Sequence, residues 1–207
     1  WLNHLVLENV NLPDRDGKVL LRAHQLTAGF ELLPLFHNKL VFTTVRLFGV
    51  TVNLRKTSAD RPLNLQFVLD AFASKDKNKK KNHIDLRLNS VLIRRGIFTY
   101  NIEDQQETPG KFNSKHIRLR NLSAKISLKA FTKDSLNASI RKMSFDESSG
   151  FSLKRLDLEI VGNKDSAIID NFEIRLPSTD LVLARSKVDL RGIHDMKTLL
   201  ERAPLHL

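Results

Sequence analysis

The residues that most often do chemistry in proteins are sparse in this sequence, and their spacing matches no known catalytic or metal site. The seven histidines are His4, His24, His37, His83, His116, His194 and His206. No HExxH motif occurs, and no pair of histidines lies at ligand spacing beside a carboxylate. Cysteine is absent, and so are a glycine-rich phosphate loop and a GxSxG elbow. We therefore expect no enzymatic activity, no metal and no cofactor.

One acidic segment is suggestive of an ion site. Asp14-Arg15-Asp16-Gly17 resembles the start of a calcium-binding loop, but the acidic ligands that should follow it are missing. A plain turn is the favoured interpretation, with Gly17 free to take a positive φ.

The chain is strongly basic, with 34 Lys and Arg against 23 Asp and Glu. Such a surface suits nucleic acid, anionic lipid headgroups or lipopolysaccharide. The cations are scattered over polar positions and the chain has one Trp and one Tyr, so we expect no nucleic-acid partner. Residues 74–83 form a basic run that predicts an exposed, solvated loop. Contact with an anionic membrane surface is the alternative, through Lys75, Lys77, Lys79, Lys80 and Lys81.

A short pattern organises the chain: apolar-x-apolar-x-x-apolar-x-apolar. Alternation predicts a β-strand with one buried face, and an extra residue keeps the later side chains on that face only if it is absorbed as a bulge. We therefore predict bent strands with one continuous apolar face. The predicted bulges lie at Glu8-Asn9, His24-Gln25, Thr43-Thr44, Phe48-Gly49, Asn89-Ser90, Arg120-Asn121, Arg141-Lys142, Lys154-Arg155 and Asp170-Asn171.

The pattern predicts a mostly β fold. We expect about twelve bent strands in antiparallel order, with a turn at Gly96, forming one elongated, strongly curled sheet in a single domain over residues 1–207. Short helices are expected at 64–73, as a lid, and at 195–202, with one helical turn at 31–36. The chain begins at Trp1 and ends in mid-pattern, so we expect a piece of a longer protein. It contains no segment with the features of a signal peptide or transmembrane helix.

The apolar face allows two interpretations. In an ordinary sandwich these side chains are a closed core, whereas in a curled single sheet they line an open groove. The residues that would line such a groove are Val45, Leu47, Val50, Val52, Leu86, Leu88, Phe98, Tyr100, Ile117, Leu119, Leu122, Ile126, Leu128, Ile140, Met143, Phe145, Leu153, Leu156, Leu158, Ile160, Ile169, Phe172, Ile174, Leu181, Leu183 and Val188.

Residues 5–73 carry a family resemblance. Its elements are LVLENVNL from Leu5, the turn at Gly17, LTAGF from Leu26, LVFTTVRLFGV from Leu40 and NLQFVLDAF from Asn64. Together they resemble the amino-terminal part of the AsmA-like and TamB (translocation and assembly module) family, most closely its versions from Bacteroides-type bacteria. The closing DLRGIHDM from Asp189 is similar in style.

This resemblance implies a place and a role. Members of the family are long envelope proteins, usually anchored in the inner membrane by an N-terminal helix, with the remainder in the periplasm. Their sheets curl into an open apolar groove, or β-taco, similar to that of bridge-like lipid transfer proteins of the chorein type. They are implicated in moving phospholipid to the outer membrane and in assembling outer-membrane proteins. For this chain the resemblance implies a groove that shields acyl chains, and no catalytic residue.

Two other functions stay open. The exposed sheet edges could pair with strands of outer-membrane proteins or of a barrel partner, as an assembly scaffold. A surface adhesin or polysaccharide binder is less favoured, because it would need exposed aromatic platforms that this sequence lacks.

Overall fold

The structure is a computed structural model that describes residues 3–31, 39–68, 83–131, 136–163 and 165–189, with the backbone alone at 39–41, 83–88, 130–131 and 189. Residues 74–82 of the expected basic loop, most of the turn at 31–36 and the expected helix at 195–202 lie outside the described residues, and His83 begins a strand. Of the expected lid, residues 66–68 are helical, and the part beyond residue 68 also lies outside.

The described chain is mostly β, and its strands belong to a single sheet. The strands are β1 (His4–Pro13), β2 (Val19–Glu31), β3 (Lys39–Lys56), β4 (His83–Ile102), β5 (His116–Phe131), β6 (Leu136–Glu147), β7 (Ser152–Gly162), β8 (Ser166–Arg175), β9 (Asp180–Leu183) and β10 (Ser186–Asp189). The sheet runs in the order β1 to β8, and β9 and β10 pair with different halves of β8. It does not close, so β1 forms one edge, and β9 and β10 together form the other.

The strands pair antiparallel except at one place, where β3 and β4 run parallel. The expectation of antiparallel order throughout is wrong there. A parallel pair needs a connection that returns the chain to the end of the sheet from which the first strand began. The connection from Lys56 to His83 is the longest between described strands, and its length allows that crossover.

Backbone irregularities mark most of the predicted bulges. A shift of register marks Thr43-Thr44, Asn89-Ser90 and Lys154-Arg155. A positive φ marks the second residue of five predicted pairs: Asn9 (52°), Gly49 (57°), Asn121 (54°), Lys142 (52°) and Asn171 (51°). Asparagine and glycine tolerate this left-handed conformation best, which explains four of the five.

The bulge at Arg95, with a φ of 52°, was not predicted. The predicted turn at Gly96 is wrong, because residues 83–102 form one strand of 20 residues. The apolar pattern with two intervening residues holds here as in the other strands. Ile93 is followed, after Arg94-Arg95, by Gly96 and Phe98, so that glycine occupies an apolar position. The continuous strand also lowers the strand count from about twelve to the ten described.

The bulges of the first four strands lie side by side. Asn9 lies opposite His24, and His24 lies opposite Gly49, because the pairs on both sides of these residues keep one register. Gly49 in turn lies beside Arg95. We call these four residues the bulge row. Since every strand in it absorbs its extra residue at the same level, the ladder resumes undisturbed beyond the row.

Few side chains are fully buried. Among the described residues the buried apolar ones are Leu20, Ala23, Ala28, Val50, Ile102, Leu122, Ala124, Leu153 and Ala167. Four of these nine are alanines, which have little side chain to bury. A sandwich of this length would bury most of its inward-facing leucines and isoleucines. The described strands instead form one layer whose apolar side chains are mostly half-buried.

Candidate functional site

One face of the sheet carries unbroken rows of apolar side chains. Val45 on β3 pairs with Val91, Val91 with Ile126, Ile126 with Ile140, and Ile140 with Leu158 on β7. Paired residues on neighbouring strands point to the same side of a sheet. This row therefore crosses five strands on one face, which we call the apolar face.

The apolar face continues across the bulges. On β3, Leu47 pairs with Leu26 before Gly49, and Val50 pairs with Ala23 after it. Without the extra residue, Leu47 and Val50 would point to opposite sides, because side chains alternate along a strand. The bulge is what keeps both on the apolar face.

Of the residues predicted to line a groove, those whose side chains are described lie on this face, as their pairing and alternation show. Only the backbone of Leu86 and Leu88 is described. Their exposure varies from Val50, which is 2% exposed, to Leu128, which is 40% exposed. Apolar side chains near the sheet edges, such as Leu7 and Leu183, are among the exposed ones. The five lysines of the basic run lie outside the described residues.

The opposite face holds a feature that sequence reasoning missed. A hollow of about 1070 Å³ extends there from β3 to β7. Its lining includes seven cationic side chains and a single carboxylate, that of Asp157. The cations are Arg46, Arg94, Arg95, Lys125, Arg141, Lys142 and Arg155. We call this site the basic hollow.

Strand pairing collects these charges from distant parts of the sequence. Lys125 on β5 pairs with Arg141 on β6 and with Leu92 on β4, two residues before Arg94. A sign of this charge cluster was present in the sequence, because three of the two-residue insertions in the apolar pattern consist of cations: Arg94-Arg95, Arg141-Lys142 and Lys154-Arg155. Polar residues are tolerated at these insertions, and neighbouring strands place them close together.

Only part of this charge is balanced. Arg141 pairs with Glu159 at 2.9 Å, and Arg155 pairs with Asp157 and with Glu173, the latter at 3.4 Å. Arg46, Arg94 and Lys125 form no ion pair within the part of the chain that the structure describes. Arg95 lies over the ring of Phe48, with 5.6 Å from its guanidinium carbon to the ring centroid.

Asp157 lines the basic hollow as a charged group. Its side chain is buried and accepts hydrogen bonds from Arg155 and from the backbone N–H of Lys142. Burial raises the pKa of this carboxyl, but the hydrogen bonds and the nearby arginines outweigh it, so the pKa lies below its ordinary value. Asp157 is therefore ionised at neutral pH.

The Asp14 turn is a structural site. Asp14 Oδ1 accepts the backbone N–H groups of Asp16 and Lys18 at 3.0 Å, and Oδ2 accepts bonds from Arg55 at 2.9 Å and Asn64 at 3.0 Å. Both carboxylate oxygens are thus occupied, and the cation beside them is a guanidinium. The predicted turn is confirmed, with Gly17 at a φ of 77°.

The described residues contain neither a metal-binding cluster nor a membrane-spanning helix. Among the described residues, no three His, Cys, Asp or Glu side chains lie close enough together to hold a metal ion. No helix in the described ranges is long and apolar enough to cross a membrane.

Comparison of the chain with protein-family models, with curated proteins and with solved structures finds no match in any of the three.

Proposed function

We propose that this chain is part of an envelope protein of the AsmA-like and TamB type, and that its apolar face shields phospholipid acyl chains on their way between the inner and outer membranes. The observation that carries the proposal is the continuous row of paired apolar residues from β3 to β7, in a sheet whose described strands form one layer.

The driving force is the hydrophobic effect. Each CH₂ group that leaves water gains about 0.8 kcal/mol, so an acyl chain lying along the apolar face is stabilised over its whole length. Sliding along a row of similar side chains changes this free energy little, because each position offers nearly the same contact. The headgroup stays in solvent throughout.

Curling of the sheet into a groove belongs to the same proposal. A bulge bends its strand and increases the local twist. Bulges in neighbouring strands that lie side by side, as in the bulge row, bend those strands at one level. Such a bend supports a trough that encloses an acyl chain better than a flat sheet does.

The proposed setting is the periplasm. The full protein would be anchored to the inner membrane by a segment outside residues 1–207. Phospholipid is the proposed cargo, and the outer membrane, or a barrel protein within it, is the proposed destination.

Lipid extraction tests the proposal directly. Mass spectrometry of the purified protein should find bound phospholipid, and a photocrosslinking amino acid at Leu156, on the apolar face, should attach to it. Ser139 is the matched control, because it pairs with Ser127 and alternates with Ala138 and Ile140 of the apolar face. Protein free of lipid, or equal crosslinking from both positions, would overturn the proposal.

A second candidate is an assembly scaffold. Edge strand β1 exposes Leu5, Val6 and Leu7, at 43%, 51% and 41%, and such an edge can accept a further strand. Binding of an outer-membrane protein strand to lipid-free protein would favour this function. Bound phospholipid without peptide binding would favour lipid transfer.

A further inference from the structure

The basic hollow lies on the face opposite the proposed lipid path, and lipid shielding gives it no role. Arg46, Phe48 and Arg94 alternate along their strands with apolar-face residues, so they point to the other side. A ligand of the basic hollow would therefore be independent of the proposed function.

Charge is the first argument for a ligand. Arg46, Arg94 and Lys125 line one hollow and none of them has an ion-pair partner among the described residues. Like charges held close together repel each other, and the repulsion is relieved when an anion binds between them. A surface selected for solubility alone would place both signs of charge side by side.

The chemistry of the lining indicates the kind of anion. Arginine offers a planar fork of N–H donors that fits the oxygens of a phosphate group in a two-pronged way, and lysine adds a point charge. Arg46 and Arg94 supply two such forks, and Lys125 supplies the point charge. Phe48, which is partly exposed beneath Arg95, adds an apolar flank beside these donors.

The volume of the basic hollow indicates the size of the ligand. The hollow measures about 1070 Å³, far more than a lone phosphate needs and of the order of a site for a small organic molecule. We propose that the basic hollow binds a phosphorylated molecule of headgroup size, in which one or two phosphate groups are carried on a sugar or a glycerol. The source of that group is either the headgroup of a lipid or a free phosphorylated compound.

Binding measurements with two variants test this proposal. The hollow variant carries Arg46→Gln, Arg94→Gln and Lys125→Gln. The control variant loses the same charge at three cations that do not line the hollow: Arg22→Gln, Lys129→Gln and Lys187→Gln. All six side chains are exposed, so both variants should fold, and equal urea midpoints would verify this. Arg94→Gln alone serves as a milder variant.

Two probes distinguish the source. Calorimetry with glucose 1,6-bisphosphate measures a free compound, and flotation of phosphatidylglycerol vesicles, against phosphatidylcholine vesicles, measures a lipid headgroup. The hollow variant should bind at least one probe about tenfold more weakly than the parent, with less than a twofold loss in the control variant. If binding of the bisphosphate depends on the three cations, the ligand is a free compound. If only binding of the vesicles depends on them, the ligand is a lipid headgroup.

Three results would overturn the proposal. The first is that the parent protein binds neither probe. The second is that both variants weaken binding equally, which would indicate an effect of net charge alone. The third is that a single-stranded oligonucleotide binds more tightly than both probes and depends on the same three residues. Crosslinking of lipid from Leu156 should be unchanged in the hollow variant. A failure of the present proposal can therefore be distinguished from a failure of the lipid-transfer proposal.

Discussion

The backbone N–H of Lys142, held at a φ of 52°, donates a hydrogen bond of 3.0 Å to Asp157 Oδ1 on the neighbouring strand. A lysine in the left-handed region is strained by roughly 1 kcal/mol or more. The carboxylate that receives its N–H is 4% exposed and also binds Arg155. The bulge of β6 is therefore stabilised by a side chain of β7.

Removal of this carboxylate should weaken the fold. We expect Asp157→Ala to lower the free energy of unfolding by about 2–3 kcal/mol, because it leaves the Lys142 N–H and the Arg155 guanidinium without their acceptor. Urea denaturation measures the change. Asp165→Ala, at an exposed loop position, is the control and should cost less than about 0.5 kcal/mol. Equal effects of the two substitutions would contradict the assigned role.

The strain at Lys142 can be tested in the opposite direction. Glycine takes positive φ freely, so Lys142→Gly should be neutral or should stabilise the fold by up to about 1 kcal/mol. Lys142→Val should destabilise it by more than about 1 kcal/mol, because a β-branched side chain tolerates this conformation poorly. Thermal unfolding followed by circular dichroism would rank the three proteins, and a valine variant as stable as the glycine variant would show that the bulge is not formed in solution.

Gly49 combines conformational strain with lack of space. Its φ is 57°, and a Cβ atom placed on it would lie 2.6 Å from Cδ2 of His24. We expect Gly49→Ala to cost about 2–3 kcal/mol in urea denaturation. Gly110→Ala isolates the strain, because Gly110 has a φ of 72° but no atom within 4 Å, and it should cost only about 1 kcal/mol. Adding His24→Ala to Gly49→Ala should recover part of the loss, and strict additivity would mean that the two residues do not meet.

Three buried carboxylates should make the protein sensitive to acid. Burial raises the pKa of Asp14, Glu147 and Asp157, but hydrogen bonds outweigh burial, so each pKa lies below its ordinary value. A pKa that is lower in the folded than in the unfolded chain adds stability above the unfolded value. That stability is lost as the pH falls from about 4.5 through the folded pKa values.

The urea midpoint should therefore be constant from about pH 7 to 5 and should fall steeply below about pH 4.5. Asp14→Asn removes one of the three titrations, so its midpoint should be lower at neutral pH and should change less with acid. A variant whose midpoint falls as steeply as that of the parent would show that Asp14 does not contribute.

Charges on the apolar face should reduce lipid binding. We expect Leu128→Asp, Leu156→Asp and Phe172→Asp each to lower the phospholipid recovered with the protein by about threefold or more, because an ionised carboxylate cannot lie against acyl chains without losing its hydration. Ser127→Asp is the control, since Ser127 follows apolar Ile126 on the same strand and faces the other side. Unchanged lipid content in all three leucine and phenylalanine variants would place the lipid elsewhere.

The sequence predicts local features of this fold well and its long-range features poorly. The bulges at Asn9, Gly49 and Asn171 follow from a slip in a pattern of period two, which depends on near neighbours alone. The parallel pairing of β3 and β4 depends instead on the path of the connection between them. The basic hollow was missed for a similar reason: the cationic pairs are visible in the sequence, but Arg46 and Lys125 lie 79 positions apart in the chain and only strand pairing brings them together.

A single-layer sheet grows in one direction only. Neighbouring strands lie roughly 4.8 Å apart, so the nine strands from β1 to β10 along the pairing path span about 38 Å measured over the surface. Each added hairpin lengthens that distance by about 10 Å without changing the chemistry of the face. The number of hairpins therefore determines the length of the apolar face across the strands, and the length of each strand determines only its width.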